Sequence, residues 1–207
     1  MNIKDALEFN DINIMKLIKK FFLFLKNRIY VNDRIILYIF YYNRTEMKKI
    51  NNNKVIIKKV DYDNVYDALS FQNPEYINSF VKFLDNGDSG YYAYLNNECV
   101  HRSWVQFNQE ISLHRFLKYF LKIDEAYIHW CETANHARGN NIYPLVLQKI
   151  IQDNYQHKIL IAVNKKNYKS INGIEKAGFK KYREYHIILI FGIKFINEIK
   201  VEKRYEQ

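Results

Sequence analysis

The stretch AYIHWCETANHARGNNIYPLVLQKI, residues 126–150, decides the fold. Its first part, Ala126 to Thr133, is an aromatic and β-prone run that predicts a strand. A polar loop follows, Ala134-Asn135-His136-Ala137-Arg138-Gly139, and a helix is predicted from Asn141 to Gln152. Pro144 falls in the first turn of that helix, where a missing N–H costs nothing. Ile142, Leu145, Val146 and Ile150 recur at helical spacing and give it a buried face. Arg and Gly before a helix N-terminus bring backbone N–H groups and a positive dipole end to one spot, which is the chemistry of an anion site.

Downstream, Ile159 to Val163 predicts a strand and Asn167 to Ala177 a helix. Asn167-Tyr168-Lys169-Ser170 caps its start, and Gly178 stops it before Phe179. Two further strands are predicted at Lys180 to Ile190 and Ile193 to Val201. Upstream, Ile14 to Arg28 reads as a basic amphipathic helix that covers the sheet or lies on an anionic membrane surface. Arg34 to Tyr42 and Val55 to Val60 read as strands around a polar run, and Pro74 opens a helix through Leu84. Tyr91 to Leu95 and Glu98 to Phe107, joined by Asn96-Asn97, read as a hairpin, and Ile111 to Phe120 as a connecting segment. Hairpin strands followed by strand–helix–strand–helix–strand–strand define an α+β protein with a mixed, largely antiparallel sheet flanked by helices. Residues 1–54 are expected as a helix–strand extension packed on a main domain at 55–207.

Of the 207 residues, 48% are apolar and 16% aromatic, a composition that forms a core and excludes a disordered chain. Two cysteines, Cys99 and Cys131, make neither a disulfide framework nor a metal quartet. No signal-peptide pattern opens the sequence, and lysines interrupt its most apolar early stretch, so a cytoplasmic location is expected. The net charge of +10 divides into +8, −6 and +8 over residues 1–60, 61–110 and 111–207. A basic C-terminal half suits a phosphorylated cofactor or nucleic acid, but no nucleic-acid recognition module is visible and nucleic acid is not expected as a partner.

Over Ala126 to Phe179 the sequence resembles the GNAT superfamily of acyl-CoA N-acyltransferases. Arg138-Gly139-Asn140-Asn141-Ile142-Tyr143 occupies the family's Arg/Gln-x-x-Gly-x-Gly/Ala motif, and Asn167 through Gly178-Phe179 matches its next block. Asn141 and Tyr143 replace the motif's small residues, although Asn tolerates unusual backbone angles. Tyr91-Tyr92-Ala93-Tyr94 and Cys99 to Trp104 are similar, more loosely, to a subset associated with bacterial surface-polysaccharide biosynthesis.

The resemblance implies a transferase moving an acetyl or similar acyl group from acyl-CoA to a primary amine. The acceptor would be a small molecule, including a nucleotide-linked amino sugar. It also implies that the strand ending at Glu132 and Thr133 splays from the Ile159 strand to admit the cofactor arm. Cys131 and Thr133 would hold the acyl end, and Arg138, Gly139, Asn140, Asn141, Ile142 and Tyr143 the pyrophosphate. Asn167 and Ser170 complete the expected cofactor set. Glu132, His101 and His129 are candidate bases; strand alternation puts His129 with Cys131 on one face and Trp130 with Glu132 on the other. Many relatives carry a tyrosine general acid where this chain has Ile174, so Tyr182 and Tyr185 are its candidate substitutes. The alternative is a degenerate domain that binds acyl-CoA or a protein partner without catalysis.

Overall fold

In the computed structural model the described residues are 30–41, 50–107 and 109–200, with Lys16 and Lys20. The helix expected over Ile14 to Arg28 lies outside them, except that these two lysines are helical and exposed.

The hairpin runs from β3 (Ser89–Leu95) to β4 (Glu98–Phe107). Asn96 and Asn97 turn it at φ 52° and 66°, the left-handed pair that a two-residue hairpin requires. β2 (Val55–Val60) pairs with β3 on the outer side. β4 pairs antiparallel with β7 (Glu125–Thr133), and β7 pairs with β8 (Lys158–Asn164) in the sheet's one parallel contact among the described residues.

Beyond β8 the N-terminal strand β1 (Tyr30–Phe40) enters the sheet. It pairs with β8 on one side and with β9 (Lys180–Ile190) on the other, and β10 (Ile193–Lys200) closes that edge. Residues Ile35 to Phe40 are all buried, so β1 is an interior strand of the main sheet.

Two layers cover the sheet. On one face α2 (Ile142–Asp153) and α3 (Tyr168–Ala177) pack on Tyr38, Tyr91, Ile128, Ile159 and Ile161. On the other, α1 (Ile77–Asp85), entered through a 3-10 turn at Pro74–Tyr76, places Phe80 against Trp104 with ring centroids 5.6 Å apart. Further along that face a small hairpin, β5 (Glu110–His114) and β6 (Leu117–Phe120), buries Ile111 and Leu113 on Leu37, Ile39 and Leu160. This corrects the expected connecting segment. Ile111, Ser112 and Leu113 alternate inward and outward, the period-2 signal of a strand lying on a core.

Because β1 supplies one backbone partner to β8 and another to β9, a chain reduced to residues 55–207 would expose two paired edges and the apolar rows beneath them. Such a chain is expected to lose cooperative unfolding and to aggregate. Denaturant melts and gel filtration of the fragment beside the full chain check this.

Candidate functional site

β7 does not alternate as a regular strand. Trp130 has φ +48°, and the β4–β7 register shifts between Arg102 and Trp104, so β7 bulges at this point. Tyr127 and His129 stack on the α1 side, and Trp130 joins them there, edge-on to Tyr76, Phe80 and Phe83. Cys131 then turns to the opposite face, against the α2 core, and Thr133 follows it to bond His101. The expected grouping of His129 with Cys131 is therefore corrected. The bulge adds one residue to the pleat, and every side chain after it changes face.

A buried arginine holds the bulge. Arg102 donates to the Trp130 carbonyl and to Gln72 Oε1 at 3.0 Å, and pairs with Glu132 Oε2 at 2.9 Å. Its guanidinium lies 5.1 Å from the Phe80 ring centroid and 5.2 Å from that of Trp130. Burial pushes its pKa down against the raising influence of Glu132. A charge so placed persists because every face of it is matched. In sequence the only signal was an arginine inside an aromatic strand, where charged residues are uncommon.

The bulge also ends the contact between β7 and β8. They pair from Glu125/Lys158 to Ile128/Ile161 and no further, though β7 continues to Thr133 and β8 to Asn164. Two clefts, of about 600 Å³ and about 870 Å³, meet in the resulting gap and share Cys131, Tyr143, Asn167 and Ser170 as walls.

The larger cleft lies on the α2–α3 face and carries Arg138, Lys169 and Lys176. Gly139 has φ +88°, and a Cβ there would meet open space; Asn141 takes φ +56°. α2 begins without a side-chain cap, so its first N–H groups remain open to a ligand. Lys176 Nζ donates to Asn141 Oδ1 at 2.7 Å, which brings a cation to the same helix end. The donor set suits a polyphosphate.

All the residues expected to bind cofactor line this cleft except Asn140, which braces the loop. Its amide donates to the Ala137 carbonyl, and its carbonyl accepts from Asn52. Asn167 caps α3 by accepting from the Ser170 N–H.

Tyr143 fits where the motif has a small residue because Gly173 makes room. A Cβ on Gly173 would lie 2.5 Å from Tyr143 Cδ1. The phenol reaches the gap, where Tyr143 and Cys131 line both clefts. Burial pushes the Cys131 thiol up to about 11, so it is an inert wall and not a nucleophile. Ile174 is buried in the core beneath.

The smaller cleft opens on the α1 side. Asp88 and Glu110 supply its charge, and its other polar groups include Asn86, Gln106, Gln109, Ser112 and His129; among the described residues no Lys or Arg lines it. His129 Nε2 lies 3.4 Å from Asp88 Oδ2, with side chains 12% and 4% exposed. Neither His129 Nε2 nor Asp88 Oδ1 has a hydrogen-bond partner. Asp88 was legible only as a turn residue after Asn86-Gly87, because nothing local shows that a turn carboxylate faces a cavity.

The other candidates for proton transfer lie elsewhere. His101 is fully buried, and both ring nitrogens meet hydroxyls, Thr133 at 2.6 Å and Ser103 at 2.8 Å. Burial, aided by the Arg102 charge, pushes its pKa down to about 3. Glu132 is committed to Arg102. Tyr182 and Tyr185 pack in the β1–β9 core, and neither lines a cleft. β1 stands between their strand and β8, and this displaces the two tyrosines assigned to the acid role.

No protein-family model and no curated protein sequence matches the chain. Solved structures do. An acetyltransferase of the GNAT family from Colwellia psychrerythraea, 11% identical, superposes with a TM-score of 0.54 over 81% of this chain and 56% of its own. A GCN5-related N-acetyltransferase from Sphaerobacter thermophilus, 10% identical, gives 0.55 over 86% and 56%. A conserved protein of unknown function from Staphylococcus epidermidis, 13% identical, gives 0.54 over 80% and 64%. The chain thus spans 56% to 64% of the length of these neighbours. The fold is GNAT-like: a mixed α+β, largely antiparallel sheet flanked by helices, as the sequence implied.

Two substitutions check the local account. Gly173→Ala would gain about 1 kcal/mol of helix propensity in an open helix. Here the collision with Tyr143 reverses the sign, and a loss of about 1–3 kcal/mol is expected in denaturant melts. His101, held neutral in the fold, opposes protonation, so its contribution is present above pH 6.5 and is lost as pH falls toward about 3. His101→Gln is expected to flatten the fall in stability across that window, measured by urea melts at stepped pH.

Proposed function

We propose that the chain is an acyl-CoA-dependent N-acyltransferase that moves an acetyl or similar acyl group to a primary amine on a small molecule. The observation that carries this reading is the meeting of two clefts of opposite charge at the β7–β8 gap. A polyanion suits the basic mouth and an ammonium the acidic one, so the sheet would bring two substrates to one place from opposite faces.

An acyl-CoA supplies an activated thioester; the chain supplies binding, orientation and a proton acceptor. Arg138, Lys169, Lys176 and the open N–H groups at the start of α2 bind the phosphates. Cys131, Thr133, Asn167 and Ser170 line the path of the arm. Backbone N–H groups after the bulge, at Cys131 to Thr133, stabilise negative charge developing on the acyl oxygen. His129 is the base, because it alone of the candidates Glu132, His101 and His129 lines the acidic cleft. Asp88 stands beside it, with Oδ2 3.4 Å from His129 Nε2. Glu132 serves through Arg102 to hold the bulge, and His101 is structural.

An amino sugar is the acceptor that the looser resemblance to polysaccharide-biosynthesis proteins adds. The amides of Asn86, Gln106 and Gln109 and the Ser112 hydroxyl suit its hydroxyl groups. Such an enzyme would work in the cytoplasm, where acyl-CoA is made, and 55–207 with β1 would form its catalytic unit.

A second reading, acyl-CoA binding without turnover, has one observation in its favour: the Tyr143 side chain reaches into the gap and meets Cys131. Calorimetric titration with acetyl-CoA, CoA and ATP tests both readings. Binding of acetyl-CoA and CoA but not ATP is expected. Arg138→Ala with Gly139→Pro is expected to weaken that binding by about tenfold or more. Unchanged affinity would remove this loop from the cofactor site. Binding without release of CoA thiol to any amine would favour the second reading.

A further inference from the structure

The chain has two tryptophans, and they stand in opposite situations. Trp104 is fully buried, with Phe80 stacked on it. Trp130 is 41% exposed and lines the smaller cleft. The rings of Tyr76, Phe80 and Phe83 meet it at 84°, 90° and 74°, so none of them lies flat on the indole. The Arg102 guanidinium sits over the ring, 5.2 Å from its centroid. A large aromatic side chain left in water forgoes the burial that stabilises most of its kind. This one is also held at φ +48°, where bulky residues are uncommon. Arg102 takes one face of the indole, and the exposed area leaves the other to a ligand.

Resting on the acyl-transfer reading, we infer that the acceptor's sugar ring stacks on Trp130, which makes this residue the one that selects an amino sugar over other amines. An indole with a guanidinium on one face gains little from a second cation on the other. The C–H face of a pyranose is neutral and apolar, and suits it better. Ring hydroxyl groups both donate and accept, as do the amides of Asn86, Gln106 and Gln109 and the Ser112 hydroxyl in the same cleft. Trp130 and Cys131 are adjacent, with Cα atoms about 3.8 Å apart. A ring on the indole therefore needs no spacer to bring its amine to the gap. There the amine nitrogen bonds to the acyl carbon as the C–S bond breaks, and the proton lost by the amine balances the one gained by the thiolate. No Lys or Arg among the described residues lines this cleft to meet a phosphate, so an unphosphorylated sugar is the class that fits.

The test uses glucosamine, n-butylamine and benzylamine. Without acyl-CoA, glucosamine is expected to shield tryptophan emission from acrylamide, because Trp130 is the tryptophan that the quencher reaches; n-butylamine is expected to give no shielding. With acetyl-CoA, CoA thiol release is expected to favour glucosamine over n-butylamine in kcat/KM by about tenfold, the size of a stacked contact. Trp130→Leu should bring that ratio close to one and Trp130→Phe should keep most of it, with denaturant melts reporting that both variants are folded. Shielding by glucosamine without thiol release from any amine would support the stacking site and count against the transferase reading. Absence of shielding, or equal use of glucosamine and n-butylamine, would overturn the inference, and thiol release in that case would leave the transferase reading in place. Preference for benzylamine over glucosamine would overturn the sugar assignment. A ratio that survives in a folded Trp130→Leu protein would overturn the role of Trp130. If neither variant folds, the shielding measurement on the unaltered protein decides.

Discussion

The buried guanidinium of Arg102 ties together the parts of this molecule that matter for chemistry. It is held by Gln72, by Glu132 and by the Trp130 carbonyl, between the rings of Tyr76, Phe80 and Trp130. An arginine meets these demands and a lysine does not, because only a planar fork can stack on rings while donating in several directions. With the Trp130 carbonyl fixed, β7 keeps its bulge and turns Cys131 and Thr133 to the face opposite His129. It also parts from β8. The gap, the two clefts and the separation of their side chains follow from that one irregularity.

The clefts differ in charge although the protein as a whole is strongly basic, at +10. The basic side chains come from the loop before α2 and from α3, on one face of the sheet. Asp88 comes from the turn after α1, and Glu110 from the small hairpin, on the other face. A sheet one residue thick thus separates two fields of opposite sign that meet only at the gap. Under the proposed function, a site built this way would sort an anion and a cation by the side from which each approaches.

β1 makes the second large difference from the chain's linear order. A strand that precedes the main fold in sequence sits inside it, between β8 and β9, with six consecutive residues buried. It completes the sheet and moves β9 one strand further from the gap, so the tyrosines that follow the Gly178-Phe179 turn face a core and not a substrate. Tyr143 is the phenol that does reach the gap, and it fits because α3 has glycine at 173.

What the sequence determined by itself was local: the strand at Ala126 to Thr133, the loop and start of α2, the cap and stop of α3, and the hairpin at Asn96-Asn97. Each depends on residues within one or two turns of each other, so spacing and composition suffice. Tertiary structure alone decided the bulge at Trp130, because a positive φ at a tryptophan is imposed by Arg102 from another strand. It also decided the place of β1, since a strand's sequence carries its pleat but not its neighbours. The place of Asp88 in the wall of a cleft was settled in the same way. A turn carboxylate reads identically whether it faces water or a substrate, until the elements around it are assembled.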